Sequence, residues 1–395
     1  MKITSVEIIP VDQKHKGELI FSSGPTHASD EFIVLRIKTD EGYEGIGSAC
    51  SFPRYPLNTG CTRDAGMYLM KDLADLLIGE DPMRLSYLIN KLEKAISAFY
   101  TENWYNISHF DAALYDLKGK ILGVPAYELL GGLHRSEIPL EFILSYLPTP
   151  EAVAEQARTV VKEYGYKSVK VHLTNNLKNA EARVKAVREA IGPDVPMAVD
   201  MGMNFRAPDA ARFINYLDKE YNLNFVEQPL FSYDVVGQQY LRTKTKVPLT
   251  ADHSGMSLTQ AYDCIRQNLF DNYHCLVTRI GGLYRSAKFC DLMDTAGLGY
   301  QICNQGNTIA GAAAAHLACS RNDRVGRYYD ELALYLYLHG TYDTKSVTDD
   351  IVKVQPAVIE NGVLKAPTGA GLGIELDEEM LKRYTCTHIN PIIVK

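Results

Sequence analysis

The sequence predicts an α/β barrel with an α+β domain attached to it, and two observations carry that reading. From residue 138 onward, short apolar runs alternate with helical stretches seven or eight times. Strict alternation of strand and helix implies a parallel sheet, and that many units favour closure into a barrel. The second observation is that the charged residues of these runs stand at their last positions, the rim where barrel active sites form. An open doubly wound sheet is the rival, but it would bring a glycine-rich phosphate turn after its first strand, and none is present.

The first 131 residues justify the α+β part. A strand near residues 2–11 precedes a polar loop, and FIVLRIKTDEGYEGIGSAC reads as two strands joined by a turn at Asp40-Glu41-Gly42. The period then becomes helical in MYLMKDLADLLIG, MRLSYLINKLEKAI and ISHFDAALYDLKGKILG. Gly79, Gly123 and Gly131 end these segments, where a left-handed residue is wanted. Residues 132–350 form the barrel, with strands expected near 138–146, 167–173, 196–201, 223–228, 247–251, 273–278 and 298–303. The tail, 351–395, alternates again in VQPAVIENGVLKAPTGAGLGIELD and is expected to rejoin the N-terminal hairpin.

At 395 residues there is ample apolar material for this architecture. A formal charge of -7 with no long basic run argues against nucleic acid as a partner, while leaving room for a local basic pocket that takes a small anion. MKITSVEIIPVD alternates like a strand and lacks the layout of a secretion signal, and no apolar run is long enough to span a bilayer, so a cytoplasmic protein without membrane contact is expected. The eight cysteines show no paired metal-ligand spacing and read as reduced core residues.

The chemistry is organised around VKVHL. On a strand, Ser168, Lys170 and His172 share one face, and two buried basic groups side by side require something anionic opposite. Three acids answer, each ending its own strand: Asp200 in PMAVD, Glu227 in NFVEQP and Asp252 in PLTAD. Three carboxylates with no cysteine or evident histidine partner suit a hard divalent cation, Mg²⁺ or else Mn²⁺. The bland alternative is that these acids cap the helices that follow. Such a cation stabilises the charge that develops when a proton leaves the carbon next to a carboxylate, and a base must stand nearby. A lysine must lose several pKa units to serve as that base, whereas histidine titrates near neutrality. His172 is therefore expected to be the base, with Lys170 cationic and bound to the substrate carboxylate or the enediolate.

With VLRIKTDEGYEGIG, IGEDP, FDAALYDLKGKILGVPAYELLGG, VKVH, AVDMG, FVEQPL, TADHS, RIGGL and ENGVLKAPTGAGLGIEL, nearly the whole chain resembles the enolase superfamily, in particular its mandelate racemase and muconate lactonising group. The resemblance implies a (β/α)7β TIM-like barrel under a capping domain built from both chain ends. It also implies metal ligands at Asp200, Glu227 and Asp252, a small carboxylate substrate and a homo-oligomer. Cap loops around His27 and Phe52-Pro53-Arg54-Tyr55 would select the substrate. The departures are as informative. Many relatives carry Lys-x-Lys where this chain has Lys170 and His172. On the sixth strand, where some place a second base, stands Leu276, and at the end of the seventh, where others place a histidine, stand Asn304 and Gln305, both expected to bind substrate. Gly202 replaces a common asparagine, and Gly47-Ser48 replaces a frequent glycine-glutamate pair. Asp330 or Glu331 in RYYDE could support the site, though helix capping is the expected role, and Arg279 is expected to sit in an ordinary barrel turn.

With a base on one face alone, the favoured reaction is Mg²⁺-dependent dehydration of a small hydroxylated carboxylic acid, such as an acid sugar, to a 2-keto acid. A single residue can take the α-proton and then help the hydroxyl leave. The alternatives are a racemase or epimerase, with Cys303, a tyrosine or a cap residue on the second face, and a catalytically silent, metal-dependent binding protein.

Overall fold

Seven short strands lie side by side in chain order in one parallel sheet: Glu141–Ile143, Ser168–His172, Met197–Asp200, Val226–Glu227, Leu249–Ala251, Asn272–Leu276 and Gly299–Cys303. The sheet closes on itself through a very short eighth element. Asp330 makes a parallel bridge to Leu140 and Glu331 one to Cys303, so residues 330–331 fill the gap between the seventh strand and the first. The computed structural model describes residues 1–17, 19–21, 24–25, 29–49, 62–97, 104–304, 306–322 and 328–395.

A helix follows each of the seven strands, from Pro150–Lys162 to Thr308–Cys319, which gives the (β/α)7β ring. The local sequence explains where several of these helices begin. Thr149, Asn176, Asp234, Ser257 and Asn307 each accept a backbone N–H of the first turn through the side chain, satisfying donors the helix cannot.

The cap is an antiparallel sheet covered by helices. Strand Ile3–Lys14 pairs along almost its whole length with Ser29–Thr39, which turns at residues 40–43 into Glu44–Ser48. Helices Arg63–Asp75, Leu85–Ser97 and Tyr105–Leu122 complete it. The expected glycine stops are present, with φ of +78° at Gly79, +70° at Gly123 and +116° at Gly131. Gly45 and Gly47 let the third strand lie directly on the long helix, because a Cβ at either would meet the carbonyl oxygens of Ala113 and His109 at 2.2 and 2.1 Å.

Two expectations need correction. The run 138–146 is not one strand: it splits at Leu140 into Glu137–Pro139, outside the barrel, and Glu141–Ile143 within it. The tail hairpin Val358–Glu360 with Val363–Lys365 pairs with Glu137–Pro139, not with the N-terminal hairpin. Ile392–Val394 rejoins the cap sheet on the free edge of Ile3–Lys14, and Thr385 makes a bridge to Val11 of the same strand. Between them, Asp116 of the long cap helix holds the tail, accepting the N–H of Leu372 at 2.8 Å and that of Ile46 at 2.8 Å. Among the described residues, no helix is long and apolar enough to cross a membrane, and Cys264, Cys275, Cys290, Cys303, Cys319 and Cys386 are free and buried.

Candidate active site

The strand register brings the predicted residues together. His172, Asp200 and Glu227 are lateral partners across the second, third and fourth strands, and Asp252 directly follows the fifth. All four line one pocket with Lys170. None of the three acids serves as the side-chain cap of the helix after its strand: the third strand's helix starts at Arg206 without such a cap, and the next two use Asp234 and Ser257. The helix-capping alternative thus fails.

Each acid meets a basic group. Asp200 Oδ2 is 2.9 Å from His172 Nδ1, and Asp200 Oδ1 accepts the N–H of Gly202 at 2.7 Å. Lys170 Nζ lies 2.5 Å from Glu227 Oε2 and 2.5 Å from Glu331 Oε1. Burial alone would lower the Lys170 pKa, but the charges of Glu227 and Glu331 outweigh it and raise it well above the usual lysine value. These charges favour the ammonium form of Lys170. Burial would raise the Glu227 carboxyl, but His274 and Lys170 hold it below the usual range. At Asp252 the opposing groups are Arg279 and His253, again with a net lowering. Both acids are ionised.

One residue of the site escaped the sequence reading, and two more, Glu331 and Arg279, were expected in other roles. His274, in the middle of the sixth strand, puts Nδ1 3.4 Å from Glu227 Oε1 and 3.9 Å from Asp252 Oδ1. Burial would lower its pKa, yet Glu227 and Glu331 raise it to about 9. The sixth strand thus does carry a charge, one layer below Leu276. Glu331 caps no helix; it grips Lys170 from the eighth strand, while neighbouring Asp330 pairs with Arg135 at 2.7 Å. Arg279 is not at an idle turn either: on the one-turn helix Val277–Ile280 it donates to Asp252 Oδ1 at 2.7 Å. Only closure of the ring shows these partners. Of the expected substrate-binding residues, Asn304 is in the pocket wall, whereas His27, Arg54 and Gln305 lie outside the described residues.

A hard dication fits the donor set. Glu227 and Asp252 present carboxylate oxygens within 4.8 Å of one another, with the His274 imidazole beside them. Asp200 stands outside that group, turned toward His172, but its place beside Glu227 in the strand register puts a third carboxylate on the same wall. Carboxylate oxygens at three adjacent strand ends are the ligands Mg²⁺ takes.

Residues 4–131 match the family model described as mandelate racemase / muconate lactonizing enzyme, N-terminal domain, and residues 152–380 match the enolase C-terminal domain-like model. The N-succinyl-L-Arg/Lys racemase of Bacillus cereus is 26% identical over 391 residues, 98% of each chain. A D-galactonate dehydratase of Xanthomonas euvesicatoria pv. vesicatoria is 27% identical over 383 residues, 92% of this chain and 93% of that one. Among solved structures, a mandelate racemase/muconate lactonizing family protein from Azoarcus sp. EbN1 superposes with a TM-score of 0.90 at 31% identity, covering 100% of both chains.

Proposed function

This chain belongs to the mandelate racemase and muconate lactonizing group of the enolase superfamily, and from that membership we propose that it removes the proton α to a carboxylate and dehydrates a small hydroxylated carboxylic acid to a 2-keto acid. The observation that carries this reading is the asymmetry of the pocket. Lys170 and His172 stand on one strand, while the strand ends opposite carry Leu276 and Cys303. Burial, reinforced by the charge of Glu331, raises the Cys303 pKa well above its usual value, so that residue is a thiol and not a base.

His172 is the proton acceptor in this scheme. Asp200 Oδ2 lies 2.9 Å from its Nδ1, and neither ring nitrogen is engaged in a hydrogen bond, which leaves Nε2 open to accept a proton. Lys170, fixed by Glu331, supplies a permanent positive charge for the substrate carboxylate. Once protonated, His172 can return its proton to a hydroxyl leaving from the same face. Asp200, Glu227 and Asp252 would hold Mg²⁺, whose charge stabilises the anion that develops on the substrate.

The test is incubation of the Mg²⁺-loaded protein with hydroxylated acids, acid sugars included. A semicarbazide-reactive 2-keto product supports dehydration. A racemase or epimerase is the second reading, favoured by the Bacillus relative's name and by the Cys303 thiol, which has a proton to give on the second face. Loss of optical rotation with no keto product would select it.

A further inference from the structure

The rim of the barrel is divided in two. Strand ends two to five carry Lys170, His172, Asp200, Glu227 and Asp252. Facing the same pocket from the remaining arc are Leu276, Cys303, Ile143 and Leu334, the last from the segment leaving the eighth strand. The arc is continuous: Leu276 and Cys303 are register partners, and Ile143 is the partner of Lys170. Phe21 of the cap adds an aromatic wall, its ring edge-on to His172 with centroids 5.5 Å apart.

Among the described residues, three polar side chains interrupt the arc: Glu331, paired with Lys170, Arg279, paired with Asp252, and Asn304. Asn304 is only 2% exposed, and both its Oδ1 and its Nδ2 lack a hydrogen-bond partner. An amide in that state offers an acceptor oxygen and an NH2 group, which one hydroxyl can engage together by donating to the first and accepting from the second. Glu331, the bridge partner of Cys303, is turned onto Lys170, and His274, one layer lower, lies against Glu227.

Resting on the α-proton reading above, we propose that the substrate is a carboxylate with an alkyl or aryl body and at most one hydroxyl beyond the one eliminated, and that it is not a polyhydroxylated acid. The carboxylate belongs on the charged arc, one hydroxyl at Asn304, and the body against Leu276, Ile143, Leu334 and Phe21. A chain of hydroxyls laid on those four side chains would be stripped of water with nothing to bond, which costs binding at every group. An apolar body gains there instead, in proportion to the area it buries.

Calorimetry on the full-length, Mg²⁺-loaded protein tests this with acids that cannot eliminate and with polyols: 2-hydroxyisocaproate and 3-phenyllactate against threonate and gluconate. The apolar pair is expected to bind at least about tenfold tighter, the discrimination a site makes between groups it can and cannot partner. Leu276→Asn is expected to narrow that gap. Asn304→Leu is expected to erase the preference for 2-hydroxyisocaproate over 4-methylpentanoate while keeping the preference for an apolar body. Polyols that bind as tightly or tighter overturn the proposal, as does failure of the apolar acids to bind at all. The wild-type comparison decides even if a variant does not fold. If the apolar acids bind but a 2,3-dihydroxy acid of the same body yields no keto acid, the dehydration reading fails and the substrate class stands.

Discussion

Lys170 of the second barrel strand and Glu331 of the eighth meet at 2.5 Å in the barrel interior, where neither side chain is more than 4% exposed. Removing one partner of such a pair leaves the other charge buried and uncompensated. Lys170→Met strands two carboxylates, Glu227 and Glu331, and is expected to cost about 3–5 kcal/mol of stability. Urea denaturation should show this as a lower midpoint at unchanged slope; an unchanged midpoint would mean that the pair is not a working part of the fold.

His172 is assigned proton transfer and no metal ligation. His172→Asn should therefore lower the rate of keto-acid formation by roughly 10²–10⁴-fold, while Mg²⁺ binding measured by calorimetry stays as it was. Loss of metal binding in step with turnover would recast His172 as a residue that orients Asp200.

Metal affinity should appear as stability. A cation that binds only the folded chain, at roughly 100 times its Kd, adds about 2.7 kcal/mol. Mg²⁺ should accordingly raise the melting temperature of the wild type, and EDTA should reverse the shift. Glu227→Gln, Asp200→Asn and Asp252→Asn should each shrink it. A full shift in the Glu227 variant would place the ion elsewhere.

Asp111 of the long cap helix accepts the backbone N–H groups of Leu283 and Tyr284, at the start of barrel helix Leu283–Ala296, which has no side-chain cap of its own. Burial outweighs these two donors and raises its pKa to about 8. The unfolded chain loses this proton at about pH 4, so between about pH 4 and pH 8 the folded state holds one proton more. The stability this residue contributes is full below that window and lost as the pH climbs through it. Asp111→Asn should flatten the decline of melting temperature over that range. Glu141, also raised to about 8 by burial and the charge of Glu331, leaves part of the slope in place. An identical profile in wild type and variant would dismiss Asp111 as its source.

The charged strand ends were legible because a polar residue closing an apolar run, in a regular strand and helix alternation, has only the rim to occupy. Lys170, His172, Asp200, Glu227 and Asp252 all follow from that rule. His274 does not: in NYHCL it is a lone histidine within an apolar strand, and its local pattern is that of a satisfied core imidazole. Glu331 was visible as an acid that could support the site, but its register was hidden for another reason. Two bridged residues are too few to show any period, and their neighbours exist only once the ring closes. Partner choice for the tail hairpin is likewise tertiary, since alternation in VIENGVLK announces strands without saying which edge receives them. Arg279 was legible as a cation, but its target, Asp252, lies 27 positions back in the chain.

Strand Ile3–Lys14 lies between Ser29–Thr39 on one side and Ile392–Val394 on the other. During synthesis its second neighbour is therefore nearly four hundred residues late. Until that segment leaves the ribosome, one side of the strand offers bare amides and carbonyls to any passing chain. The cap is thus finished only after the barrel beneath it has been translated, and a nascent chain stalled before residue 392 should be the form that aggregates.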